Sequence, residues 1–403
     1  MEAAMPTRPS DTWTPQYFLA SLGNGGIAVA FFLWLYMWIP HKGQPVPVFE
    51  DISAAWAVGN PLQQAMIVTA MAGIAYFAFQ HYRTLIWNLG RHAAFKASPA
   101  YDKTLNSNAS STLMGLPLAL AMAVNVAFVL GLVFVPGLWG VVEYLFPLAL
   151  AAFLALAVMA LRMLGGMLAR YSVAGTFDMT KNGSFAQVQP AFALAMIGVG
   201  ASAPAALSGN PTVVAVALAL STLMLTVALI WAAVAVILGI AAMVQHGAQV
   251  EGIPTLMNIV PLTTVLGILT LRQQHGLHMA FDSHFAPGDD LSLLTTFIAL
   301  QLAFLGLGWA VARKHSYISR FVTGPASSAG SYGLICPGVG LSVMLQFWIN
   351  KALLGAGLLT KFSVAYWAFS ALPLIALAAT IALMVSLNRK HFGSPKALPI
   401  PAE

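Results

Sequence analysis

Ten apolar stretches, each long enough to cross a bilayer, leave this 403-residue chain almost no polar sequence from which to build a water-soluble domain. A spanning helix needs about 20 apolar residues, and such stretches run over 17–39, 61–87, 112–135, 141–168, 187–207, 212–244, 253–272, 291–312, 331–350 and 362–387. The chain is 59% hydrophobic and 7% charged, a balance outside the range of ordinary globular domains. Hydrocarbon offers no hydrogen bonds to a backbone, so the predicted fold class is an all-α polytopic membrane protein. The expected organisation is an N-terminal segment (1–16), a ten-helix transmembrane domain (17–387) and a tail (388–403). No small-residue cleavage site follows the first stretch, which reads as a retained helix rather than a signal peptide. The first 15 residues and the tail after Arg389 read as surface or disordered segments.

Orientation follows from the loops. With ten spans, one face collects fourteen of the eighteen Lys and Arg residues, and the other holds only Lys42, Arg272, Lys351 and Lys361. The positive-inside rule then places both termini in the cytoplasm and the protein in the cytoplasmic membrane. The basic loops sit beside anionic lipid headgroups. They are scattered and form no continuous stripe, so a nucleic-acid partner is excluded as the reading of the basic balance.

Short uncharged turns, 136–140 and 208–211, join spans 3–4 and 5–6, which makes consecutive spans antiparallel hairpins. The 7–8 connection, from Gln273 to Asp290, is the long exception. Odd and even spans differ in composition. The odd ones carry Gly, Pro and amides: Gly23-Asn24-Gly25-Gly26, Pro117 with Asn125, Gln189-Pro190 with Pro204, Asn258 with Pro261, and Pro337 with Gln346. The even ones are mostly smooth Ala, Leu, Val and Ile. Proline frees a backbone carbonyl and kinks a helix, which lipid tolerates only where neighbours or water satisfy the freed groups. The alternation therefore predicts five kinked inner helices around something polar and five outer helices facing lipid.

The candidate pore residues are Asn24, Gly25, Asn125, Gln189, Pro190, Asn258, Pro261, Cys336, Pro337 and Gln346. Each amide has a second use open to it, hydrogen bonding across a helix pair, and the glycines of span 1 serve close packing equally well. No Asp, Glu, Lys or Arg falls in the central part of any stretch, with Arg272 closing span 7; this argues against proton or sodium coupling. Backbone N–H groups freed at kinks still attract anions. His275, Asp282, His278, His284, Asp289 and Asp290 cluster in the long outer connection without any metal-ligand spacing, and no cofactor motif is present. The lone cysteine, Cys336, rules out an intramolecular disulfide.

The hairpin pattern, with Tyr17-Phe18-Leu19-Ala20-Ser21-Leu22-Gly23 opening span 1, Gln80-His81-Tyr82-Arg83 closing span 2 and Gln189-Pro190-Ala191 opening span 5, resembles the family of plant slow anion channels and bacterial tellurite-resistance/dicarboxylate transporters. The resemblance implies five hairpins around a central pore made by the odd helices, a small anion as substrate, and homotrimers with one pore per subunit. It also implies a phenylalanine plug on the ninth helix, but here span 9 reads Ile335-Cys336-Pro337-Gly338-Val339-Gly340, and the position reached by extending the similar Val364–Phe369 segment is Ala371. Phenylalanine gating is therefore not carried over. More narrowly, Ser331–Gly338 is similar to the Cys-Pro-Gly segment of TsoY-like membrane proteins, some of which carry selenocysteine. The expected function is a channel or transporter for a small anion, such as a sulfur, selenium or metalloid oxyanion or a small carboxylate. The competing expectation is a membrane redox protein in which Cys336 handles sulfur or selenium chemistry or senses oxidation.

Overall fold

The computed structural model describes residues 8–394, which contain helices and no strand. Ten helices are long and apolar enough to cross a membrane: Pro15–Trp38, Pro61–Lys96, Asn108–Phe134, Leu138–Val173, Ala186–Leu207, Pro211–His246, Val250–Phe281, Pro287–Lys314, Ala329–Leu353 and Val364–Phe392. They are called spans 1 to 10. The buried share of the apolar stretch is 89, 50, 83, 89 and 72% in the odd spans but only 22–28% in the even ones. The compositional alternation is thus an alternation of position. Spans 1, 3, 5, 7 and 9 pack each against the next, and span 9 returns to span 1, closing a ring. Every even span lies outside, against the odd partner of its hairpin.

All five odd spans begin the same way. Each opens with a 3₁₀ stretch (Pro15–Tyr17, Asn108–Met114, Ala186–Val188, Val250–Met257, Ala329–Leu334) and then becomes α-helical. This changes the account of the prolines. Pro117, Pro190, Pro261 and Pro337 occupy the second or third position of the α segments beginning at Gly115, Gln189, Ile259 and Ile335. In a first turn a missing N–H breaks no α-helical hydrogen bond. These prolines mark the junction between two helix types rather than kinks. Pro204 is different: span 5 breaks at Ser202, between Gln189–Ala201 and Ala203–Leu207.

Glycine lets the ring close. A Cβ on Gly26 would lie 3.0 Å from Val339 of span 9, and one on Gly340 would lie 2.9 Å from the Pro261 Cα of span 7. On Gly25 it would lie 2.5 Å from Met122 of span 3 and 2.9 Å from His81 of span 2. The tight turn between spans 3 and 4 uses Gly137 at φ 73°, and its N–H donates to Glu50 at 2.7 Å.

Three expectations are corrected. The 7–8 connection is short, because helix continues to Phe281 and resumes at Pro287; Arg272 therefore does not close span 7 but lies more than two turns inside its end. Residues 8–16 are packed rather than loose: Trp13 sits edge-on to Phe18 and donates from Nε1 to Asn88 at 2.9 Å. Span 10 runs on to Phe392, so 388–392 belong to it. There His391 is buried, with Nδ1 2.9 Å from the Tyr17 hydroxyl, which puts the start of span 1 and the end of span 10 on one face. Residues 1–7 and 395–403 lie outside the described residues.

Lys390 gathers the loop before span 9. Its Nζ donates to the carbonyls of Phe321, Gly324 and Ala326. Bonds to a charged donor contribute about 1.5–3 kcal/mol each, and coupled ones are not additive. Lys390→Met is expected to destabilise the protein by about 2 kcal/mol and to raise hydrogen exchange across 322–328. Unchanged exchange there would contradict this anchoring role.

Candidate functional site

Inside the ring lies a cavity of about 860 Å³. Its floor is formed by Leu22, Gly23, Met122, Phe192, Pro261 and Cys336, and its far rim by Gln44, His278, Phe285 and Lys351. From Leu22 to Tyr36, both on its wall, the helix rises about 21 Å, some two-thirds of a hydrocarbon core about 30 Å thick. The rim is on the face opposite the described chain ends. Below the floor the odd spans meet in packed side chains, including Tyr17 against Tyr332 with ring centroids 6.0 Å apart.

Helical spacing explains which side chains reach the wall. Span 7 contributes Pro261, Thr264, Val265, Ile268, Leu271, Arg272 and His275, a stripe at intervals of three and four. Span 9 contributes Cys336, Val339, Gly340, Val343 and Phe347 on the same rule, with Lys351 in the following turn. Of the ten candidate residues, Asn125, Pro261 and Cys336 line the cavity. Asn24, Gly25, Gln189, Pro190, Asn258, Pro337 and Gln346 do not. Asn24 and Gly25 fall off the stripe of span 1, and Asn24 Nδ2 bonds Ala20 of its own helix at 2.9 Å. Gln189 lies a turn below the floor and donates to the Thr112 carbonyl of span 3 at 3.2 Å, the cross-helix use of a membrane amide. Gln346 accepts from Asn350, which bonds Tyr366 in turn, in a network tying span 9 to span 10. Pro190 and Pro337 stand at their helix junctions.

The residue that the sequence reading placed elsewhere is Arg272. It lines the cavity and donates from Nη1 to the Val199 carbonyl at 2.6 Å. That carbonyl lies at the break in span 5, where it also accepts from Ser202 Oγ at 2.8 Å. The break thus supplies the acceptor that fixes the guanidinium against the wall. Towards the rim, Lys351 lies 5.6 Å from the Tyr36 ring centroid, a cation–π contact. His41, His275 and His278 also line the cavity, and Asp290 is the one acid on its wall. Among the described residues the ion pairs are Lys181–Asp178 and His284–Asp282, so neither Arg272 nor Lys351 has a carboxylate within 4.0 Å. Nearby, burial and repulsion from Lys351 hold the Lys361 ammonium below the usual lysine range. Two of the four cations on the sparsely charged face therefore point into the cavity, and the expected absence of charge inside the spans does not hold for span 7.

No group of three or more His, Cys, Asp or Glu that could hold a metal ion occurs among the described residues. The Cys336 side chain is buried at the cavity floor. Thr264 Oγ1 bridges the Gly340 carbonyl, at 2.9 Å, to Gln301 of span 8, also at 2.9 Å, fixing spans 7 and 9 beside the floor. No family model matches the chain, and neither curated proteins nor solved structures give a match.

Proposed function

We propose that the protein is a channel or transporter for a small anion, with the cavity inside the odd spans as its permeation path. The observation that carries this reading is the charge of the wall. Arg272 and Lys351 face the cavity with no carboxylate within 4.0 Å, and Asp290, which feels the Lys351 charge, is the one acid on a lining that is otherwise mostly apolar. A cation held at membrane depth is costly, and an anion entering the cavity offsets that cost. The closed ring of odd spans with even spans outside is the arrangement that the resemblance to the slow-anion-channel and tellurite-resistance family implies. Conduction then requires the floor at Leu22, Met122, Phe192 and Cys336, and the packed side chains below it, to open. The face with the chain ends is the cytoplasmic one on its excess of Lys and Arg.

Purified protein in liposomes tests the reading. Nitrate, chloride or a small carboxylate should move down its gradient only when protein is present. No flux of any small anion would overturn it.

The redox alternative rests on Cys336 and separates from transport in the same vesicles. Cys336→Ser is expected to retain anion flux within about two-fold, because the thiol is a small buried filler. Loss of all flux on this substitution, together with thiol-dependent activity of the native protein, would favour the redox reading.

A further inference from the structure

The cavity is not confined to the ring. Span 4, an outer helix, presents Leu145, Phe146, Leu148, Ala149, Ala152 and Phe153 to it, at intervals that define one helical face. Among the other even spans, span 8 adds only Asp290 in its first turn, and spans 2, 6 and 10 add nothing to the described wall. On the rim side of their contact, spans 3 and 5 therefore part, and the cavity extends sideways to span 4. At its deep end this lobe is shut where Phe153 meets span 5: a Cβ on Gly200 would lie 2.1 Å from that ring. Towards the rim it stays apolar, with Phe128 and Leu207 on its flanks. Leu148, 68% exposed, marks where it meets the membrane-facing surface. Arg272 stands at the junction of lobe and main cavity, because its partner Val199 is one turn before Ala203, on the face of span 5 that lines both.

A charge at one end of an apolar side lobe is the complement of an amphiphile. The main cavity alone would hold a small oxyanion, and 860 Å³ is in the range of sites for much larger ligands, about 300–1,000 Å³. Leu145 to Phe153 covers about 12 Å of helix, room for a tail of roughly eight to ten carbons. We infer that the cavity takes a single-tailed amphiphilic monoanion, its anionic head at Arg272 and its alkyl chain in the lobe along span 4. This narrows the substrate class of the anion reading above and rests on it for the role of Arg272. The same chemistry is offered by a fatty acid from water and by a single-tailed anionic lysolipid from the bilayer.

The test is equilibrium binding of radiolabelled acetate, hexanoate and decanoate to the full chain in nanodiscs of zwitterionic lipid, corrected for uptake by empty nanodiscs. Affinity should rise two- to four-fold per added methylene, as expected for roughly 0.8 kcal/mol per buried CH₂ at best. Ala152→Phe and Ala149→Phe, made separately, should each lower the decanoate-to-acetate affinity ratio by ten-fold or more. Leu154→Phe, on the exposed side of the same helix, should leave that ratio unchanged. Arg272→Gln should weaken the whole series together. A chain-length series that is flat in the native protein, or unaltered by both alanine replacements, overturns the proposal. A steep, lobe-dependent series without any small-anion flux supports the lobe and overturns only the transport reading. Adding lysophosphatidylglycerol to the nanodiscs then identifies the source: a fall in decanoate affinity assigns the lobe to a bilayer lysolipid, and an unchanged affinity assigns it to the soluble acid.

Discussion

Arg272→Gln is expected to cut anion flux ten-fold or more, while the protein still folds. The guanidinium is the deepest cation on the cavity wall and the one held in place, by the Val199 carbonyl at 2.6 Å. A hydrogen bond to a charged group contributes about 1.5–3 kcal/mol, and 1.4 kcal/mol is a factor of ten in affinity. Glutamine leaves a neutral donor near the same place, so the loss isolates the charge. Val199 keeps its bond from Ser202, which limits the structural damage. Arg272→Lys should give an intermediate flux, because lysine keeps the charge but lacks the planar fork that can bond a backbone carbonyl and an anion together. Arg272→Glu should abolish anion passage. Initial rates of nitrate uptake into liposomes decide the matter, and a decrease below three-fold for Arg272→Gln would remove Arg272 from the path.

Gly340→Leu should produce the largest loss of stability, about 3 kcal/mol, the upper end of the usual range for overpacking. The new Cβ would meet the Pro261 Cα at 2.9 Å and Thr264 Oγ1 at 3.0 Å. A backbone atom in a proline-stiffened turn cannot step aside as a flexible side chain can. Spans 7 and 9 must separate, and the bond from Thr264 to the Gly340 carbonyl goes with them. Gly306→Leu is the matched control, since nothing lies within 4 Å of a Cβ there and leucine is the better helix former. Thermal unfolding in detergent should show a clear drop for Gly340→Leu and none for Gly306→Leu. Equal melting temperatures would mean that the ring does not depend on this contact.

Most of the architecture was legible because lipid and protein select for different surfaces. A helix that faces lipid can be uniformly aliphatic, whereas one that packs on several neighbours needs small residues for close approach and amides for cross-helix bonds. The alternation of Gly and amide content therefore reported inner against outer position before any coordinates. The same chemistry explains why the amides were a poor guide to the cavity. Gln189 ties span 5 to span 3, and Gln346 holds Asn350, which reaches span 10; such groups are buried between helices rather than displayed on a wall. The better signal was periodicity: 261, 264, 265, 268, 271, 272 and 275 share one helical face, and this continues straight through the polar run Arg272-Gln273-Gln274-His275. Apolar content fell there, so span 7 was ended too early and Arg272 was placed at its end. The break at Ser202 was partly legible in Pro204; that its freed environment would hold an arginine from another span was not, because no local pattern encodes a contact across 73 residues.

The contact between Tyr17 and His391 joins residues 374 apart in sequence, and it closes the same seam at which span 9 meets span 1. For a chain made from its N-terminus, this seam is the last part of the molecule to form. Until the final hairpin is inserted, the first four hairpins make an open arc, and the face that carries Arg272 has bilayer beside it instead of protein. A ribosome that stops before span 9 therefore releases no smaller working unit, only an arc with a polar edge turned to lipid. The ring is complete only once the last hairpin is in place.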